Sequence, residues 1–255
     1  MMRPPPKATE QHARASADYA DKLARTRALL TRSIADFSPL KQASSLGAED
    51  VVITHLINAL ALDIPVFVLD TGALHNETLA LLERTQAHSR ASIEVYRPDH
   101  TAVIQFVRQQ GQESIFRTID QRKACCDIRK LEPLKRALTG QRAWITGLRR
   151  EQSTNRGAVD PIDKSELTTL GRIKLNPLAD WTWGDVWHYI ATEGVDYNPL
   201  HDEFFPSIGC APCTRAISLG EDFRAGRWWW EDESAKECGL HATHENAKTS
   251  LKAPA

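Results

Sequence analysis

Residues 64–69 read Ile-Pro-Val-Phe-Val-Leu, an apolar run with no polar alternation. A strand of that composition is buried on both faces, as happens when helices cover both sides of a parallel sheet. Further strand candidates stand at 39–43, 93–96, 143–146 and 172–175, and segments with helical periodicity lie between them at 51–57, 76–88, 99–110 and 121–131. The alternation predicts an α/β domain built on a doubly wound parallel sheet. Ligands of such sheets sit beyond the carboxyl ends of the strands. Sites are therefore expected just after the strand candidates.

Three of those strand ends carry suitable residues. Ser44-Ser-Leu-Gly-Ala-Glu-Asp50 joins a strand to a helix, and Gly47 with Ser44 and Ser45 would let backbone N–H groups approach an anion. Asp70-Thr-Gly72 is tight and polar, and Gly147-Leu-Arg-Arg-Glu-Gln-Ser153 presents Arg149 and Arg150. Paired guanidiniums at a strand end suit phosphate or sulfate. Outside this frame, 17–34 reads as an amphipathic helix packed on the main domain. Thr182 caps a helix to Glu193, with Asp185 at its third position and Trp183, Val186, Trp187 and Ile190 inward. Residues 1–16 are Pro-rich and then polar, which predicts a disordered start, and 154–170 has no periodicity and reads as a mobile loop. The division expected is 1–16, an α/β unit over 17–220, and a mobile tail over 221–255. In that tail Trp228, Trp229 and Trp230 cannot all face one core.

Two cysteine pairs add a chemical constraint. Cys125 and Cys126 are adjacent, and Cys210-Ala-Pro-Cys213 follows 84 residues later. Adjacent cysteines make poor disulfide partners, but four thiolates in two tight pairs can converge on one metal centre. Four unconnected buried thiols and a structural zinc site are the competing readings. Zinc ribbons use Cys-x-x-Cys twice, whereas a Cys-Cys pair suits a cubane in which each thiolate takes a different iron, so iron–sulfur is favoured.

Charge narrows the partners. Lys plus Arg total 32 against 33 for Asp plus Glu, so no global excess points to nucleic acid or membrane. Locally, ten basic residues between Arg122 and Arg156 face only Asp127, Glu132 and Glu151, a bias that suits a small polyanion beside the Cys-Cys pair. Five cysteines without disulfide spacing, and no long apolar stretch, predict a cytoplasmic protein. A homo-oligomer stays open.

Taken together, Ser45-Leu-Gly-Ala-Glu-Asp50, Leu69-Asp-Thr-Gly72, Cys125-Cys-Asp-Ile-Arg-Lys130, Thr146-Gly-Leu-Arg-Arg-Glu-Gln-Ser153, Gly209-Cys-Ala-Pro-Cys-Thr-Arg215 and Glu237-Cys-Gly-Leu-His241 resemble the assimilatory adenylyl-sulfate reductases, the cluster-bearing, thioredoxin-dependent kind. The resemblance spans roughly 40–241. It implies a fold related to the ATP pyrophosphatases and adenine nucleotide alpha hydrolases, and reduction of adenosine 5′-phosphosulfate to sulfite and AMP. It implies a 4Fe-4S cluster on Cys125, Cys126, Cys210 and Cys213. Cys238, the one cysteine left over, becomes the nucleophile, and attack on the electrophilic sulfur gives an S-sulfocysteine that a dithiol protein cleaves. The chain stops at Ala255 without a thioredoxin-like extension, so thioredoxin or glutaredoxin is expected as a separate partner.

The resemblance also carries Lys130, Arg156, Arg224, Arg227 and His241 to the phosphosulfate group. Ser44, Ser45 and Gly47 are assigned to the adenylate side, and Asp70, Gly72 and Arg149 complete the expected binding set. Family members often have Arg and Pro where this chain has Ala73 and Asn76. Rivals remain. A reductase for the 3′-phosphorylated substrate usually lacks the four cluster cysteines, and a dual-specificity enzyme is a variant of that reading. An ATP pyrophosphatase ligase would want Ser-Gly-Gly in the first loop. A non-enzymatic iron–sulfur sensor would leave Cys238 and the nucleotide loop without purpose.

Overall fold

The structure, a computed structural model, describes residues 6–152 and 159–232. In chain order it holds α1 (Ala8–His12), α2 (Tyr19–Phe37), β1 (Leu40–Ser44), α3 (Ala48–Ala59), β2 (Val66–Leu69), α4 (Asn76–His88), β3 (Ile93–Tyr96), α5 (His100–Gln110) and α6 (Ile119–Cys126). After α6 come α7 (Glu132–Ala137), β4 (Ala143–Ile145), β5 (Ile162–Asp163), α8 (Leu167–Leu170), β6 (Ile173–Leu175) and α9 (Trp183–Glu193). The strands form one sheet in the order β3-β2-β1-β4-β6-β5, parallel throughout except for β5. This is the doubly wound α/β architecture the apolar runs predict.

Burial on both faces explains those runs. Adjacent strand residues point to opposite sides, and they enter different cores. Val68 and Ile145 pack with Val52, Ile53 and Leu56 of α3 and Val186, Trp187 and Ile190 of α9. Phe67 and Trp144 pack on the other side with Leu134, Ala137 and Leu138. The strand order reverses around β1, whose two neighbours are β2 and β4. That reversal opens a crevice beyond the carboxyl ends of β1 and β4.

Several expectations change. The polar start is ordered from residue 7 onward: Ala8 is fully buried, and its N–H donates to Asp202 Oδ1 at 2.7 Å. The Arg14 and Ser16 N–H groups donate to Gly184 O and to Asp185 Oδ1. Composition cannot show acceptors so far away in sequence. Within 159–170 the chain forms β5 and α8 rather than a featureless loop, because β5 pairs with the edge of β6. Residues 221–232, expected to be mobile, are seated against the domain through Trp228 and Glu231, both buried side chains. The Cys-Cys helix stops being regular at Cys126 and passes through a π turn, Asp127–Leu131, closed by the Glu132 N–H on Asp127 O. Pro133 has no N–H to offer residue 129, so the ordinary ladder cannot run through this point. Among the described residues no helix is long and apolar enough to cross a membrane.

Candidate active site

The crevice at the strand reversal is a cleft of about 230 Å³. One wall is the loop after β1. Its Ser45 N–H and hydroxyl both donate to Asp50 Oδ2, each at 2.7 Å, and the Gly147 N–H adds a third bond to that carboxylate. Lost hydration is the main influence on Asp50 and pushes its carboxyl up to about 6, against the pull of those donors. Ser44, Ser45 and Gly47 all line the cleft, as expected of the cradle. Thr146, Gly147 and Leu148, after β4, face them.

Across the cleft stand Lys130, Arg224 and Arg227. Arg227 is buried, with Nη1 at 3.3 Å from Ile208 O and 3.4 Å from Ser207 Oγ. Its guanidinium occupies the space a side chain at Gly209 would need, so a larger residue there would displace it. Three cations lining one cleft with the N-terminal end of α3 suit a small anionic ligand.

A second cavity, about 740 Å³, is lined by Cys125, Cys126, Cys210 and Cys213. Arg122, Arg129 and Lys130 line it with the four thiols. Thr71 Oγ1 is 3.2 Å from Cys210 Sγ. Burial alone would raise the Cys210 thiol, but Lys130, Thr71, Arg227 and Arg129 outweigh it and lower its pKa. Burial, followed by the nearby Cys210, pushes Cys213 up to about 12, and burial likewise raises Cys125. Lys130, Cys210 and Trp228 line both cavities, so the two share a wall.

Other expected residues are placed differently. Arg149 is buried, with Nε on Glu49 Oε1 at 2.9 Å and its guanidinium over Trp183. It braces the β4 loop from behind and does not line the cleft. Asp70 accepts from Arg97 Nε at 2.9 Å and from the Gly72 N–H at 3.0 Å, which shapes the turn after β2. Gly72, with φ +67°, lines the cysteine cavity instead of the cleft. Cys238, Arg156 and His241 lie outside the described residues. Cleft residues missed by sequence reading include Asp50, hidden in an ordinary helix start, and buried His201, whose Nδ1 is 2.7 Å from Phe205 O.

Comparison with known proteins agrees with this geometry. Residues 39–216 match the family model of the phosphoadenosine phosphosulfate reductase domain. The chain belongs to that family of α/β nucleotide-binding reductases. Among its relatives, adenosine 5′-phosphosulfate reductase of Allochromatium vinosum is 50% identical over 213 residues, 84% of this chain and 82% of that one. The protein of the same name from Burkholderia cepacia is 47% identical, covering 89% of this chain and 90% of its own. Phosphoadenylyl-sulfate reductase from Candida auris, solved as a phosphate complex, superposes with a TM-score of 0.65 at 25% identity, over 80% of this chain and 98% of that one. FMN adenylyltransferase of Candida glabrata shares the fold, with a TM-score of 0.56 at 14% identity.

Proposed function

We propose that the chain reduces adenosine 5′-phosphosulfate to sulfite and AMP in sulfate assimilation. The observation that carries the reading is the cleft at the strand reversal, with Lys130, Arg224 and Arg227 across from a serine-glycine cradle and the four-cysteine cavity behind them. The names of the relatives support the same substrate.

Ser44, Ser45 and Gly47 hold the adenylate side, and Lys130, Arg224 and Arg227 take the phosphosulfate, with Arg156 and His241 assigned to the same group from the sequence motifs. The Cys238 thiolate attacks the sulfur of the sulfate. A sulfur–sulfur bond forms, the bond from sulfur to the bridging oxygen breaks, and AMP leaves with the electron pair. A dithiol protein of the thioredoxin or glutaredoxin kind then attacks Cys238 Sγ and expels sulfite, ending as a disulfide. Its two thiols supply both electrons, so no net electron need come from a metal. The setting is the reducing interior of the cell.

Four cysteines lining one cavity beside Arg122, Arg129 and Lys130 support an iron–sulfur reading. As placed, no three His, Cys, Asp or Glu side chains among the described residues form a group that could hold a metal ion. A cubane takes each of four thiolates at a separate iron, which an adjacent Cys-Cys pair allows. Held by Cys125, Cys126, Cys210 and Cys213, a 4Fe-4S cluster would order α6 and tune the field at the sulfate through Lys130.

Intact-mass measurement after substrate addition, with no dithiol present, tests the chemistry. One added sulfonate should map to the peptide holding Cys238, and Cys238→Ser should bind substrate yet release no sulfite. An adduct on another cysteine, or normal sulfite release from the serine variant, would refute the assignment.

A further inference from the structure

Trp228 has a φ of 41°, in the left-handed region that bulky residues avoid. Such strain persists only where the surroundings enforce it. Here the Trp228 N–H donates to Cys213 O at 3.2 Å, and Trp228 O accepts from the Glu231 N–H at 2.9 Å. Three guanidiniums lie on the buried ring: Arg227 at 4.7 Å, Arg122 at 4.8 Å and Arg224 at 5.9 Å from its centre. Arg224 and Arg227 line the cleft, while Arg122 belongs to α6, one turn before Cys126, and lines the cysteine cavity. Trp228 is therefore a platform between two compartments.

Arg122 is held in turn by Glu231. Its Nε donates to Oε1 at 2.9 Å and its Nη2 to Oε2 at 2.7 Å, with both side chains buried. The Cys126 sulfur is a further hydrogen-bond partner of the same guanidinium. A buried pair of this kind adds little net stability over an apolar replacement. A two-point fork does fix orientation as well as distance. It joins residues 109 apart, tying the helix of the Cys-Cys pair to the segment that carries both cleft arginines.

We propose that Arg122 and Glu231 are positioning residues for the reaction: their clasp holds Trp228 in its strained geometry and thereby sets Arg224 and Arg227 against the anionic end of the substrate. The inference rests on the reading that those two arginines receive the phosphosulfate.

Glu231→Gln keeps the size of the side chain and removes its charge. KM for adenosine 5′-phosphosulfate should rise about tenfold, equivalent to about 1.4 kcal/mol. The inhibition constant of adenosine, which lacks the anionic end, should stay within about twofold, and iron per chain should be unchanged. Arg122→Lys keeps the charge but loses the fork, and should show the same split if orientation is what matters. An unchanged KM in both variants overturns the proposal. So does equal weakening of adenosine and substrate, which marks a loosened fold. Arg227→Ala, measured alongside, separates the two levels of inference. An unchanged KM there removes the underlying reading of the arginines, while a raised KM there with normal Glu231→Gln kinetics overturns the clasp alone.

Discussion

His201 is buried beside Trp183 and Trp187, and burial is the main cause that pushes its pKa from 6.5 down to about 4. A base whose folded pKa is depressed binds protons more readily when unfolded. Its contribution to stability is present above 6.5 and is lost as the pH falls through about 4. Between pH 7 and about pH 4.5 the fold should lose roughly 2–3 kcal/mol through this group. Urea midpoints measured across that range should fall less steeply for His201→Gln, and parallel curves would clear the residue. Asp50 acts oppositely: with its pKa raised from 3.8 to about 6, its contribution is present below 3.8 and is lost as pH rises through about 6. At this scale the sequence was informative where chemistry is local. The cradle serines and the two cysteine pairs are short strings; the serines line the cleft and the cysteines line one cavity. Arg149, expected in the binding set, pairs instead with Glu49, 100 residues away, and no local pattern announces that pair. Arg122–Glu231 was invisible for the same reason, and His201 because its burial depends on packing against Trp183 and Trp187.

The π turn between α6 and α7 has a functional reading among the elements. It follows the Cys-Cys pair directly and carries Arg129, whose Nη1 donates to Thr71 O at 2.6 Å, and Lys130, which faces both cavities. An α-helix turns about 100° per residue, so absorbing one extra residue swings these side chains to a face they would not otherwise share. Pro133→Ala restores the missing N–H and should let the regular ladder extend. The expected result is a raised KM for adenosine 5′-phosphosulfate with a melting temperature close to that of the parent, checked by steady-state kinetics and calorimetry. Normal kinetics would show that Pro133 does not set the turn. Helix and strand positions were readable because periodicity and apolar runs are local, and the Thr182–Asp185 capping box is present as the sequence suggests. The π turn was not readable, since its residues also suit an ordinary helix. Nor was β5, two residues long and formed by pairing with β6.

Over the whole molecule, the four cysteines should act as one unit. Changing Cys125, Cys126, Cys210 or Cys213 to Ser is expected to lower iron content, visible absorption and activity together, while Cys238→Ser leaves the iron in place. A variant among the four with full iron and normal turnover would remove that residue from the ligand set. The wall common to the cleft and the cysteine cavity, made by Lys130, Cys210 and Trp228, bears on descent as well as on chemistry. A lineage that abandoned the cysteine cavity would have to rebuild one side of its substrate cleft in the same interval, because each of these residues serves both compartments. Single replacements at 130, 210 or 228 should then be scarce among related chains, and departures should come in concert, with whole lineages keeping the trio or losing it together.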